Sequence, residues 1–202
     1  NSQAEDAAAV YKGIVAQWPD RYEVYLDMAG AYAYANKIGE ALKVYADMEK
    51  RFGLNEELIS HQFSTLMEAE KYPEAQQLVQ RAIAQYPSDA QYAAMLGDLY
   101  DQQGLHEQAL EKYQQALALD PGNSMLRIAL AEHYYGTGRM DDAYRELGEA
   151  FMDPELEVDA KMQVLIGFFE MTEREGEKPG QREDLIKRSY ALIGSLERAH
   201  PE

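Results

Sequence analysis

The sequence predicts an all-α fold, a right-handed superhelix (solenoid) of stacked helix pairs, on three observations. Alanines recur at Ala7, Ala41, Ala75, Ala109 and Ala143, each thirty-four residues after the last, a spacing that marks helix-turn-helix repeats. Helix-ending residues follow twelve positions after four of these alanines, as Pro19, Gly53, Pro87 and Pro121, with Pro154 one residue early in the fifth. The residues beyond each alanine keep a helical period. Tyr11, Tyr45, Val79, Tyr113 and Leu147 come four positions later, and Ile14, Met48, Ala82, Ala116 and Ala150 seven later. Offsets of four and seven share one helical face.

Taken in order, residues 4–17 read as a lone second helix. Helix pairs then follow over residues 22–55, 56–89, 90–123 and 124–157, making an array over 4–157. In each pair, the large residues Tyr32, Leu66, Tyr100 and Tyr134 precede the alanine by nine positions. Ala29, Phe63, Gly97 and Ala131 precede it by twelve, and a small residue there lets the neighbouring helix approach closely. Phe63 is the exception and predicts shifted packing in its repeat. The turns within pairs are the short "NKIG", "KYP", "GLH" and "GTGRMD". Asp141 is expected to cap the helix that holds Ala143, and Asp142 suits its first turn. Pro73 fits a first turn, where no N–H partner is lost. Residues 158–200 read as a longer, irregular pair that continues or caps the array, with "GEKPG" (176–180) as its loop. The opening "NSQAED" reads as a cut inside a longer protein. His200-Pro201-Glu202 echoes Trp18-Pro19-Asp20, which suggests a further repeat beyond it.

The stretch "AQYAAMLGDLYDQQGLHEQALEKYQQALALDP" (Ala90 to Pro121) resembles the tetratricopeptide repeat. It carries Leu96-Gly97, Tyr100, Gly104, Ala109, Tyr113, Ala116 and Pro121 at that family's spacing, with Ala93 in place of the first aromatic. The repeat from Tyr22 matches through Tyr25, Ala29, Tyr32, Ala41 and Tyr45. The resemblance implies that a partner binds on the concave face, lined by the first helix of each pair. It also implies which positions point inward. Among these, Tyr34, Met67, Glu68, Asp98, Asp101, Glu132, Tyr135 and Phe169 are the candidate peptide-binding residues, centred on Asp98, Asp101, Glu132 and Tyr135. The inward positions hold no Lys, Arg or Asn, so the grip that some family members have on acidic chaperone tails is not expected. A mixed carboxylate and apolar face suits a basic or apolar segment of another protein. The alternative is a structural spacer or self-association module within a larger chain, and a homo-oligomer is compatible with both.

Composition narrows the classes further. The 202-residue chain has a net charge of −17, which repels phosphate backbones and anionic headgroups, so neither nucleic acid nor a membrane surface is an expected partner. No apolar run approaches a bilayer span. The absence of cysteine excludes disulfides and thiolate metal sites. No catalytic constellation, cofactor motif or metal-ligand spacing stands out, so a non-enzymatic role without cofactor or metal is expected. The four histidines are scattered among repeats. His106 takes a slot where the family usually has a packing aromatic, and it is expected to pack. Glu57 and His61, one turn apart, are two ligands where a metal site needs more. Leu126 to Phe169 looks similar to repeat proteins of bacterial cell envelopes, which implies a periplasmic or envelope location, with the cytoplasm as the alternative.

Overall fold

The computed structural model describes residues 2–174 and 181–200. These form eleven α-helices and no strand. The chain divides into two compact units, Asn1–Pro87 and Ser88–Glu202, separated at one of the period-marking prolines. The first unit holds α1 (Ser2–Gln17), α2 (Tyr22–Tyr34), α3 (Ile38–Phe52), α4 (Glu56–Glu68) and α5 (Tyr72–Gln85). The second holds α6 (Ala90–Gln102), α7 (His106–Leu119), α8 (Ser124–Gly136), α9 (Met140–Phe151), α10 (Val158–Arg174) and α11 (Gln181–Ala199). The loop expected at 176–180 lies outside the described residues.

The four turns that join the helices of a pair are built alike. Asn36, Glu70, Gly104 and Gly138 all have positive φ, at 59°, 55°, 71° and 76°. Their N–H groups donate to the carbonyls of Ala33, Met67, Asp101 and Tyr135 at 2.8–3.0 Å. The next residues, Lys37, Lys71, Leu105 and Arg139, donate to the carbonyls of Tyr32, Leu66, Tyr100 and Tyr134 at 2.7–2.8 Å. This is the Schellman arrangement, which satisfies carbonyls that a helix end leaves without partners. The same four residues then accept from the N–H of Ala41, Ala75, Ala109 and Ala143 at 3.0–3.1 Å, which starts the second helix. The turn leaves no slot for a capping side chain, and none of the four has one. Asp141 is therefore not the cap it was expected to be. α9 begins at Met140 behind Arg139, which places Asp141 and Asp142 both in its first turn. Asp142 pairs there with Arg139 and Arg145, each at 2.6 Å.

The first helices of the pairs are capped by side chains instead. Asn55 accepts from Leu58 N–H at 2.9 Å, Asp89 from Gln91 at 3.0 Å, and Asn123 from Met125 and Leu126 at 3.1 and 3.2 Å. These caps also repeat at the thirty-four-residue period, though Arg21, in the corresponding slot of α2, makes no such bond.

The repeated alanines Ala41, Ala75, Ala109 and Ala143 are fully buried. In α1 the fully buried residue is Ala8, with Ala7 only half-buried, and Tyr11 and Val15 complete its contact with the first core. Gly97 shows why a small residue is needed twelve positions before the alanine. A Cβ there would stand 2.7 Å from the ring of Tyr113 on α7. Phe63 stays half-buried, and α4 meets α5 less extensively than α2 meets α3, α6 meets α7 or α8 meets α9. In the second unit, buried Lys161 on α10 donates to the Asp153 carbonyl at 2.5 Å and lies 2.8 Å from His200 Nε2. Asp153 in turn accepts from the Ser124 hydroxyl.

Two glycine positions predict opposite signs. The Tyr113 ring is buried and anchored at its hydroxyl, so Gly97→Ala should destabilise the chain by about 1–3 kcal/mol in urea unfolding. Gly30 on α2 has nothing within 4 Å of the same position, so Gly30→Ala should stabilise by about 0.5–1 kcal/mol.

Glu70 holds a left-handed conformation that costs an L-residue about 1–2 kcal/mol. Its side chain is exposed. Glu70→Gly should raise the urea midpoint, a gain of about 0.5–1 kcal/mol once the extra freedom of glycine in the unfolded chain is counted.

Candidate functional site

The turn between α6 and α7, and the return of the chain along α8, bring a group of polar residues together in the second unit. Asp98, Asp101 and Gln102 come from α6, His106 and Tyr113 from α7, and Ala129, Glu132, His133 and Gly136 from α8. Together they line a cavity of about 340 Å³. A second cavity, of about 610 Å³, is lined by Asp89, Gln91, Ala94, Met95 and Asp98 on one side and by Leu119, Asn123, Met125 and Leu126 on the other. Asp98 borders both.

Local sequence explains the placement. Asp98 follows Gly97, the residue that lets the Tyr113 ring lie against α6, and the Tyr113 hydroxyl donates to Asp98 Oδ1 at 2.7 Å. Asp101 is near the end of α6 and His106 opens α7, so the tight turn sets them side by side, with Nδ1 of His106 3.1 Å from Asp101 Oδ1. His133 Nδ1 approaches the same carboxylate from α8, at 2.9 Å from Oδ1 and 2.8 Å from Oδ2. Its ring is packed among Tyr113, Tyr134 and His106, at centroid distances of 5.6, 5.7 and 6.2 Å.

Crowding and charge perturb the group. Burial against the protein raises the Asp98 carboxyl above its usual range; the bond from Tyr113 opposes this and the neighbouring Asp101 charge adds to it. Glu132 is raised by desolvation and by the charge of Asp98. The Tyr113 hydroxyl is pushed well above its usual value, by burial first and by Asp98 next. The cavity therefore concentrates carboxylates in a setting that disfavours their negative charge, a setting a cation would relieve.

The structure sorts the candidate residues unevenly. Asp98, Asp101 and Glu132 line one cavity. Tyr135 does not join them. It is only 8% exposed and its ring packs edge-on against Phe168 at 5.5 Å, so it belongs to the core and not to a binding face. Tyr34, 83% exposed, half-buried Met67 and exposed Glu68 all lie in the first unit. The side chain of Phe169 lies outside the described residues.

Two of the histidines read as scattered meet in this group. His106 does more than pack: its ring lies beside that of His133, but its side chain is 53% exposed and its Nδ1 turns to Asp101. His133 is not isolated but buried within this group. One signal could have found it. His133 occupies the register of Leu99 and Thr65, both buried. In the first unit, the Tyr45 hydroxyl lies 3.1 Å from Thr65 Oγ1, the same register pairing as Tyr113 with His133. A histidine at that buried position needs a polar partner, and the nearest turn supplies Asp101.

Two tetratricopeptide-repeat family models match the chain, over residues 62–124 and 100–154. A comparison with curated proteins finds no significant match. Several solved structures are similar. One is a crystal structure of MamA, at 23% identity and TM-score 0.54, covering 74% of this chain and 87% of that one. Another is YrrB, described as a TPR protein with an unusual peptide-binding site, at 18% identity and TM-score 0.52, covering 82% and 84%. A third is TTC0263, a thermophilic TPR protein of Thermus thermophilus, at 19% identity and TM-score 0.60, covering 83% and 92%. At these identities the likeness is one of fold.

The raised carboxyl of Asp98 fixes the sign of a pH effect. A carboxyl with a higher pKa in the folded chain than in the unfolded chain binds more protons when folded, so stability falls as pH rises through the window between the two values. Asp101, His106, Tyr113, Glu132 and His133 are the titratable groups that line the same cavity. Asp98→Asn, whose amide oxygen can still accept from Tyr113, should melt higher than the parent at pH 7. The difference should shrink in acid as the parent carboxyl takes up its proton, and scanning calorimetry across pH checks this.

Proposed function

We propose that this chain, whose repeats belong to the tetratricopeptide family, is a non-enzymatic scaffold that binds another protein through an exposed segment rich in basic and apolar side chains. The observation that carries this reading is the place of Asp98 between two cavities. One cavity is edged by the carboxylates of Asp98, Asp101 and Glu132. The other sets apolar Ala94, Met95, Leu119 and Met125 beside Asp89, Gln91, Asp120 and Asn123. An extended segment crossing from one to the other would place a cationic side chain against the carboxylates and an apolar one beside Met125, which is 61% exposed. YrrB, which shares the fold, is described as having a peptide-binding site. The net charge of −17 adds long-range attraction for a basic segment, strongest at low ionic strength.

Fluorescence anisotropy with labelled peptides tests this. A peptide alternating Lys or Arg with Leu and Met should bind, and one with Glu in place of the basic residues should not. Asp98→Asn with Glu132→Gln should weaken the basic peptide by on the order of 1 kcal/mol per carboxylate removed, about fivefold each. Added salt should weaken the parent more than the double variant. Equal binding of the two peptides, or an affinity indifferent to the double variant, would rule the cavity out as the binding site.

A further inference from the structure

We infer that Asp101, His106 and His133 form a binding site for a divalent transition-metal ion of the zinc type. Each offers one ligand atom, and these atoms all lie within 4.8 Å of one another. The carboxylate of Asp101 stands between two imidazole nitrogens, 3.1 Å from Nδ1 of His106 and 2.8 Å from Nδ1 of His133. Ligands at the usual zinc distances, about 2.0–2.2 Å, stand about 3.4 Å apart in a tetrahedral shell. The group therefore needs only small side-chain rotations to close on an ion. His106, exposed at the start of α7, has room to make them. Two imidazoles and one carboxylate select zinc or a neighbouring transition ion over calcium and magnesium, which take oxygen ligands.

The surroundings fit a cation in two further ways. Asp98 and Glu132 line the same cavity as the three ligands and bring two more carboxyl groups near the ion. The cavity also leaves room for a fourth ligand, water or a partner's side chain, on the open side. The three ligands come from α6, α7 and α8, so a bound ion joins two successive repeats. Metal binding and the peptide reading share the carboxylates of this cavity but are separable through the histidines, because the first needs His106 and His133 as ligands and the second does not.

Isothermal titration of the metal-stripped 202-residue chain with zinc chloride tests the site, with calcium chloride as the comparison. One zinc should bind per chain, raise the melting temperature, and show no counterpart with calcium. His106→Ala removes a ligand from an exposed side chain, so folding should persist by circular dichroism while zinc affinity falls by about 100-fold. Asp101→Asn should do the same, and His61→Ala, on exposed His61 of the first unit, should leave binding as it is. Loss of the zinc heat in His106→Ala and Asp101→Asn but not in His61→Ala supports the site. The inference is overturned if the parent takes up no zinc, which would make the cluster a proton-sharing His–Asp group only. It is equally overturned if His106→Ala binds like the parent, or if His61→Ala removes the binding.

Discussion

The turn inside each helix pair sets the geometry of the repeat. One residue, Lys37, Lys71, Leu105 or Arg139, donates its N–H to the carbonyl five residues back and accepts at its own carbonyl from the N–H of the alanine four residues ahead. Both ends of the connection are thus tied by backbone alone, and the second helix leaves the turn at one rotation each time. That rotation turns the alanine inward, where its small side chain allows the two axes to close. Every other periodic feature depends on it. The large residue nine positions before the alanine lends its carbonyl to the turn, and Tyr113, four positions after Ala109, points back at the first helix of its pair. Where the pair is closest, as at Gly97 against Tyr113, even a methyl group has no place.

Most of this was legible because backbone constraints recur and leave a period. Alanines, prolines and the small-residue positions mark it directly, and the turns fall where the sequence puts them. The expected cap at Asp141 failed for a reason rooted in the same constraint. A Schellman turn that runs straight into the next helix fills the N-cap slot with a residue whose own amide is already committed, so an acidic residue nearby moves to the first turn. Conversely, the side-chain caps at Asn55, Asp89 and Asn123 sit between pairs, where the connection is not tied by such bonds and a side chain has room to accept.

The polar cluster was legible only in part, because its members hold different register positions. Asp98 and Asp101 were visible as inward residues of one helix, and Glu132 as the inward residue of the next. His106 and His133 were not, since neither position is a groove position by spacing. Their meeting depends on distances across helices that a single period does not encode. Tyr135 failed in the opposite direction. Spacing placed it on the open face, but Phe168 on α10 covers it, and the irregular last pair has no period from which that cover could be read.

Comparison of equivalent positions shows where the chain departs from its own repeat. The slots of Asp98 and Asp101 hold Gly30 and Ala33 in the first pair and Ser64 and Met67 in the second. In those repeats the slots carry no charge, and the fold is built there without one. The carboxylates of the third repeat are therefore not needed to make a helix pair. Burial and the charge of Asp101 both disfavour the ionised form of Asp98, and burial and the charge of Asp98 do the same for Glu132. The Tyr113 hydroxyl offsets part of that cost by donating to Asp98, and the His133 ring bonds to Asp101 beside it. Glu132 adds a third carboxylate to the cavity, so the arrangement stays short of positive charge. A scaffold supplies geometry through what its repeats share, and what it recognises must come from what they do not share. In this chain the largest unshared feature of the second unit is negative charge held around an open cavity, and its complement is a cation.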